Sequence, residues 1–151
     1  MVIHESKQPT NEHEIGELER VLDIRLPSDY RSFLLRHNGG RPEPSSFFAY
    51  LGPYGDSRSH ECVNRFLALY DGEYSNLKKY IKSYKDRIPV DFLPIARDPF
   101  GNLICLAVAG PDYGKVFFWD HELEADEGET PDYRNISFVA NSFDEFLNSL
   151  H

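Results

Sequence analysis

The run Trp119-Asp120-His121-Glu122 places two carboxylates and an imidazole side by side at the end of an apolar segment. With Asp98 converging from a neighbouring turn, such a set could hold a divalent ion and activate a water, the chemistry of a metal-dependent hydrolase. Adjacent strand residues point to opposite faces, so Asp120 and His121 can share one ion only if the strand has already ended. The competing reading is a buried Trp followed by strand-end polar residues.

The remaining reactive types form weaker sets. Ser57, Ser59 and His60 lie together, but a Ser–His pair without an orienting acid or oxyanion donors is not a hydrolase constellation. Gly110-Pro111-Asp112-Tyr113-Gly114 has glycines near phosphate-loop spacing, yet no Lys-Ser/Thr and no following helix. It reads as a hairpin turn. Arg97-Asp98 beside Gly101-Asn102 reads as a turn shaped by side-chain bonds to backbone. Cys105 falls in an apolar strand pattern and Cys62 does not pair with it in any obvious way, so reduced thiols are expected. No catalytic residue, cofactor or metal is assigned.

The segment from Glu122 to Asn135 stands out by charge. Glu122, Glu124, Asp126, Glu127, Glu129 and Asp132 face a single Arg134, a field that can steer a basic partner and be weakened by salt. A solvated acidic loop is the plainer alternative. Tyr54, with Tyr50 and Phe48 nearby, offers aromatic anchors of the kind that dominate interfaces, and core burial is the expectation for Phe48.

Composition narrows the classes. The 151 residues fit one domain spanning 1–151, and 40% hydrophobic content with 14% aromatics is ample for a core. The net charge of −9 opposes non-specific nucleic-acid binding, which requires basic surface. The longest apolar run, Leu103 to Ala109, cannot cross a bilayer, and the N-terminus shows no basic segment leading into an apolar core. A cytoplasmic protein is expected.

The elements that would position these residues follow from periodicity and turn chemistry. Asn11 and Glu14 stand at capping-box spacing before Ile15, Leu18 and Leu22, which share one helical stripe. Pro27 suits the first turn of a second helix whose Tyr30, Phe33, Leu34 and His37 share a face, and Asn38-Gly39-Gly40 stops it. Residues 41–61 predict one short strand around Phe47 to Leu51 and then an exposed loop; Val63 to Tyr70 predicts another strand. Leu77, Tyr80, Ile81 and Tyr84 define a lysine-bearing helix ended by Pro89. From 93 to 121, three apolar runs separated by Asp98-Pro99-Phe100-Gly101-Asn102 and by Gly110 to Gly114 predict an antiparallel meander. Ile136 to Val139 predicts a last strand. Ser142 and Glu145 repeat the capping-box spacing before Phe143, Phe146, Leu147 and Leu150. The sum is an α+β domain, a mainly antiparallel sheet with helices at both termini and one central helix.

Taken in order, these segments resemble the SMI1/KNR4 (SUKH) family. The resemblance is carried by Leu26-Pro27-Ser28-Asp29-Tyr30-Arg31-Ser32-Phe33-Leu34, the Asn38-Gly39-Gly40 stop, Pro94-Ile95-Ala96, Asp98 with Gly101-Asn102, Cys105-Leu106, Val116 to His121, and the Ser142 to Leu147 helix. It implies a non-enzymatic binding protein, with bacterial members similar to immunity proteins against polymorphic toxins, often nucleases. Fungal relatives imply the alternative, a regulatory interaction module without a toxin. Residues 41–61 and the acidic segment match no part of the pattern, and partner specificity is expected there. The partner-binding expectation therefore names Glu122, Glu124, Asp126, Glu127, Glu129, Asp132 and Tyr54. The expected partner is a basic toxin domain, with no nucleic acid and no membrane; the oligomeric state stays open.

Overall fold

The sheet at the centre of the molecule follows from its turns. In the computed structural model, which describes residues 1–51 and 58–151, Phe92–Arg97, Leu103–Ala107 and Val116–Trp119 form β6, β7 and β8 of the predicted meander. Gly101 (φ +95°) supplies the left-handed conformation that the first turn needs. Arg65–Phe66 (β5) and Ile136–Ala140 (β9) extend the sheet on either side, giving the order β5-β6-β7-β8-β9, antiparallel throughout. Pro94 has no N–H to give to the ladder, and the β6–β7 register shifts between Pro94 and Ala96.

Both faces of this sheet are covered, so its middle strands are continuously apolar rather than alternating. Three helices cover the inner face: Glu12–Leu22 (α1), Ser28–Arg36 (α2) and Phe143–Ser149 (α4). Ile15, Leu18, Tyr30, Phe33, Leu34, Phe143 and Phe146 pack there on Ile104, Leu106, Val116 and Phe118. Phe33 is the hub, with ring centroids 4.8 Å from Phe66 and 5.0 Å from Phe143. The outer face carries a separate cluster of Phe92, Leu103, Cys105, Ala107, Phe117 and Trp119. Ile88 and the tyrosines of Leu77–Ser83 (α3), Tyr80 with the following Tyr84, close over it.

Caps were the most informative local signal. The Glu14 amide donates to Asn11 Oδ1 at 2.9 Å and the Glu145 amide to Ser142 Oγ at 3.0 Å, interactions worth about 1 kcal/mol each. The reciprocal half of each box goes elsewhere. The Glu14 carboxylate accepts from Thr10 Oγ1 at 2.8 Å, and that of Glu145 accepts from the Asn141 amide rather than from its cap.

Several expectations need correction. Among the described residues, 41–51 and 58–61 hold three strands where one was expected, and residues 52–57 of the expected loop lie outside the described ones. Arg41–Glu43 (β2) pairs with an N-terminal strand, Val2–His4 (β1), that periodicity did not show. Phe47–Leu51 (β3) pairs in register with Arg58–Cys62 (β4). Within Val63 to Tyr70 only Arg65 and Phe66 pair as strand, although Leu67 still donates to the Ile95 carbonyl at 2.8 Å. His37 lies beyond α2 in extended conformation, with its ring 5.7 Å from Phe33, because Asn38 is pulled into the core. Finally, α3 ends at Ser83, well before Pro89, and Asp86 (φ +66°) turns the chain.

Candidate functional site

One end of the sheet is organised around a buried carboxylate. Asp98 follows β6 and is 1% exposed. Its Oδ1 accepts from the amides of Phe100 and Asn102, both at 2.8 Å, and its Oδ2 accepts from Asn102 Nδ2 at 2.8 Å. Hydrogen bonds of this kind offset the cost of desolvating a charge. The expectation that Asp98 shapes its turn is met.

The same bonds reach further than the turn. Because Asn102 gives its NH₂ to Asp98, its Oδ1 must face the other way, where it accepts from the His121 amide at 3.0 Å. His121 Nδ1 lies 2.7 Å from that same Oδ1. An amide oxygen can only accept, so Nδ1 carries a proton, and in the neutral tautomer that this selects the lone pair lies on Nε2. The ring lies over Gly101, where a Cβ would be in ordinary contact at 3.4 Å from His121 Cε1, so the glycine answers to its φ of +95° rather than to space. A buried carboxylate thus sets the tautomer of a half-exposed histidine through one asparagine.

Asp120 is engaged separately. The strand ends at Trp119, and Asp120 caps a 3₁₀ turn, His121–Leu123, by accepting from the Glu122 amide at 3.0 Å. The condition for Asp120 and His121 to share an ion is met in principle. Yet Asp98 is directed into its own turn, and among the described residues no three His, Cys, Asp or Glu side chains converge on one point. Asp98, Asp120 and His121 are neighbours in the fold without forming a ligand set.

The acidic segment is partly spoken for. Arg87 reaches across from the end of the α3 region and pairs with Glu124 through two bonds, 3.0 and 3.2 Å. Its guanidinium stacks 4.4 Å from the Tyr84 centroid and lies 5.9 Å from that of Trp119. Glu124 raises the Arg87 pKa further above its ordinary value. Arg134 chelates Asp132 at 2.9 and 3.0 Å and stands 3.7 Å from Glu129, and it holds the Asp132 carboxyl below the usual range. Glu122, Asp126 and Glu127 remain exposed with no ion-pair partner among the described residues.

Tyr54 and Ser57 lie outside the described residues. The paired strands β3 and β4 pack over this end of the sheet: Tyr50 stacks on Phe118 at 4.5 Å and Phe48 is fully buried. Burial, opposed by a hydrogen bond with Ser59, pushes the Tyr50 hydroxyl up, and the charges of Asp120 and Asp98 add to the shift. The first divergent segment thus packs beside the strand end that leads into the acidic one. Both cysteines are free thiols.

Two residues escaped the sequence reading. Phe100, at the tip of the Asp98 turn, is 66% exposed, and Arg87 links two segments 37 residues apart. An aromatic between Pro and Gly in a tight turn was the available signal for Phe100. Nothing local marked Arg87. An open groove of about 1330 Å³ lies elsewhere, between the α1–α2 corner, Tyr113 and the start of α4. It is lined by both signs of charge, and its Arg31 is already paired with Glu12 and Glu19.

An α+β domain whose antiparallel sheet carries a helical hairpin and a closing helix on one face is the architecture that the ordered motifs implied. The chain belongs to the SMI1 / KNR4 family (SUKH-1), whose family model matches residues 9–149. It is similar to the SPbeta prophage-derived uncharacterized protein YokK of Bacillus subtilis (strain 168), 34% identical over 156 residues, covering 93% of this chain and 74% of that protein. A shorter likeness, 46% over 33 residues, links it to the uncharacterized protein YnaB of the same organism, covering 22% of this chain and 23% of the relative. Among the described residues no helix is long and apolar enough to cross a membrane.

Proposed function

We propose that this protein is a cytoplasmic immunity-type binding protein that neutralises a cognate toxin by covering the toxin's active surface, without chemistry of its own. The observation that carries the reading is the family match along 9–149, joined to a likeness with a prophage-derived protein. The fold supports it in kind. The titratable side chains at the sheet end are committed to holding backbone and rings, while Glu122, Asp126 and Glu127 face solvent as a negative field. Such a field speeds encounter with a basic domain and is screened by salt. Tyr54, Glu124, Glu129 and Asp132 belong to the proposed contact region, with Glu124 and Asp132 already sharing their charge with arginines.

The test is survival. A toxin-bearing reading frame from the same locus is induced with and without this chain, and colonies are counted. Restored growth supports the reading; equal killing in both arms removes it and leaves a regulatory interaction module as the better description.

A further inference from the structure

The Asp98 cage sets two side chains outward at once. Phe100 is held at the turn tip by its own amide bond to Asp98, and its ring is the most exposed of the phenylalanines. His121 is held by backbone and ring to Asn102, with Nε2 left as an acceptor. Leu123, on the turn that His121 opens, is 46% exposed. Folding alone does not call for this arrangement. A turn of the same shape needs Gly101 and the Asp98 bonds, but it does not need a large apolar ring in water or a ring tautomer specified from the core.

We infer that Phe100 and His121 form the preorganised centre of the partner-binding surface, and that its occupant is a basic protein surface with an apolar pocket. This deepens the proposed function and rests on it. The charge argument selects the occupant: Asp120 and Glu122 flank His121, and neither has a cationic partner among the described residues. Uncompensated carboxylates at the same end of the sheet as an exposed aromatic anchor match lysines or arginines beside an apolar pocket. His121 Nε2, an acceptor beside two carboxylates, would take a hydrogen bond from one of those cations. Because Asp98 and Asn102 already fix the Phe100 backbone and the His121 ring, binding orders little beyond the Phe100 side chain, and that is how preorganisation raises affinity. The centre of the interface then sits at 100 and 121, and the 126–132 stretch becomes its rim.

The experiment is site-specific photo-crosslinking in the native host. A photoreactive amino acid replaces Phe100, and in parallel Val21, Asp126 or Tyr133. The expected result is an adduct from position 100 to a basic protein and none from position 21, where α1 exposes an isolated valine. Glu122→Lys should reduce the yield roughly tenfold or more, in line with loss of an interface hot spot. His121→Asn, which can still donate to Asn102 but lacks the outer acceptor, should reduce it similarly, and His121→Gln, whose amide reaches the Nε2 position, should restore part of it. The Phe100 and Glu122 variants should keep the parent thermal midpoint, since those side chains face solvent, and the two His121 variants are compared at matched folded fraction because the ring also bonds Asn102. No adduct at 100, an adduct indifferent to Glu122→Lys, or an adduct to nucleic acid overturns the inference. An adduct from 126 or 133 without one from 100 removes this surface and leaves the immunity reading standing. Silence at every position also removes it, while the survival assay decides the immunity reading independently.

Discussion

Asn38 and Leu69 bind each other as two strand residues would, although one contributes only its side chain. The Asn38 Nδ2 donates to the Leu69 carbonyl and its Oδ1 accepts from the Leu69 amide, both at 2.8 Å across 31 residues of sequence. The second Nδ2 hydrogen goes to the Gln8 carbonyl at 2.7 Å. One buried amide thus ties the N-terminal segment, the end of α2 and the chain that follows β5. Asn38→Ala leaves backbone groups unpaired in the core and should cost about 2–4 kcal/mol by urea unfolding. Asn38→Asp keeps the acceptor, loses the donor and buries a charge, and should be at least as damaging. A loss below about 1 kcal/mol in either variant would show that the bonds are dispensable.

Arg87 and Glu124 allow an optical test, because Trp119 is the single tryptophan and lies under the arginine. Arg87→Ala should redden Trp119 emission by admitting water to the outer face. A double-mutant cycle between the two residues should give a coupling of about 0.5–1 kcal/mol, falling as salt is added. A coupling of zero at low salt would mean that the pair is incidental.

Alkaline pH should destabilise the protein in two stages. Burial pushes the Cys105 thiol and the Tyr30 hydroxyl above their ordinary values. The unfolded chain therefore ionises first, near about 8.5 for the thiol and about 10 for the phenol. The stability these groups contribute is complete below the unfolded values and declines as pH rises past them. The decline is about 1.4 kcal/mol per pH unit for each group. Unfolding free energies from pH 7 to 11 should fall with that steepening slope.

Tyr30→Phe separates the stages. Its hydroxyl is buried with no hydrogen-bond partner among the described residues, so removing it should be neutral or stabilising by up to about 1 kcal/mol at pH 7. It should also flatten the slope above pH 10. A clear loss at neutral pH would mean that the hydroxyl is satisfied in solution.

Thiol labelling should distinguish the cysteines. Cys62 is half-buried on the hairpin, with its thiol shifted up by burial and then by Glu61; Cys105 is enclosed in the sheet. Mass spectrometry should show one slow adduct in the native state and a second only in denaturant. Two adducts at equal rates under native conditions would contradict the packing of the outer face.

The sequence was most readable where structure is local. Asn11 and Ser142 marked two helix starts, and turn chemistry at Asp98–Asn102 and Gly110–Gly114 marked the meander. It was least readable where an element exists because of its partner. Arg58-Ser59-His60-Glu61-Cys62 has no apolar alternation, and it is a strand because β3 supplies the ladder. The three residues of β1 are extended for the same reason. The candidate site divides in the same way. That Asp98 shapes its turn follows from spacing, whereas its reach to His121 depends on a fold that closes a 19-residue gap. The charge of the acidic segment was visible, but its partial neutralisation by Arg87 was not.

The sheet separates two apolar clusters, and of the residues packed against them Tyr80 touches both. A substitution that loosens the outer layer therefore disturbs little of what the helices hold on the inner side. This partition lets the outer layer and the segment after Trp119 accumulate replacements while the inner layer keeps the chain folded. Variation between homologues should accordingly be lopsided, dense on one side of the sheet and sparse on the other.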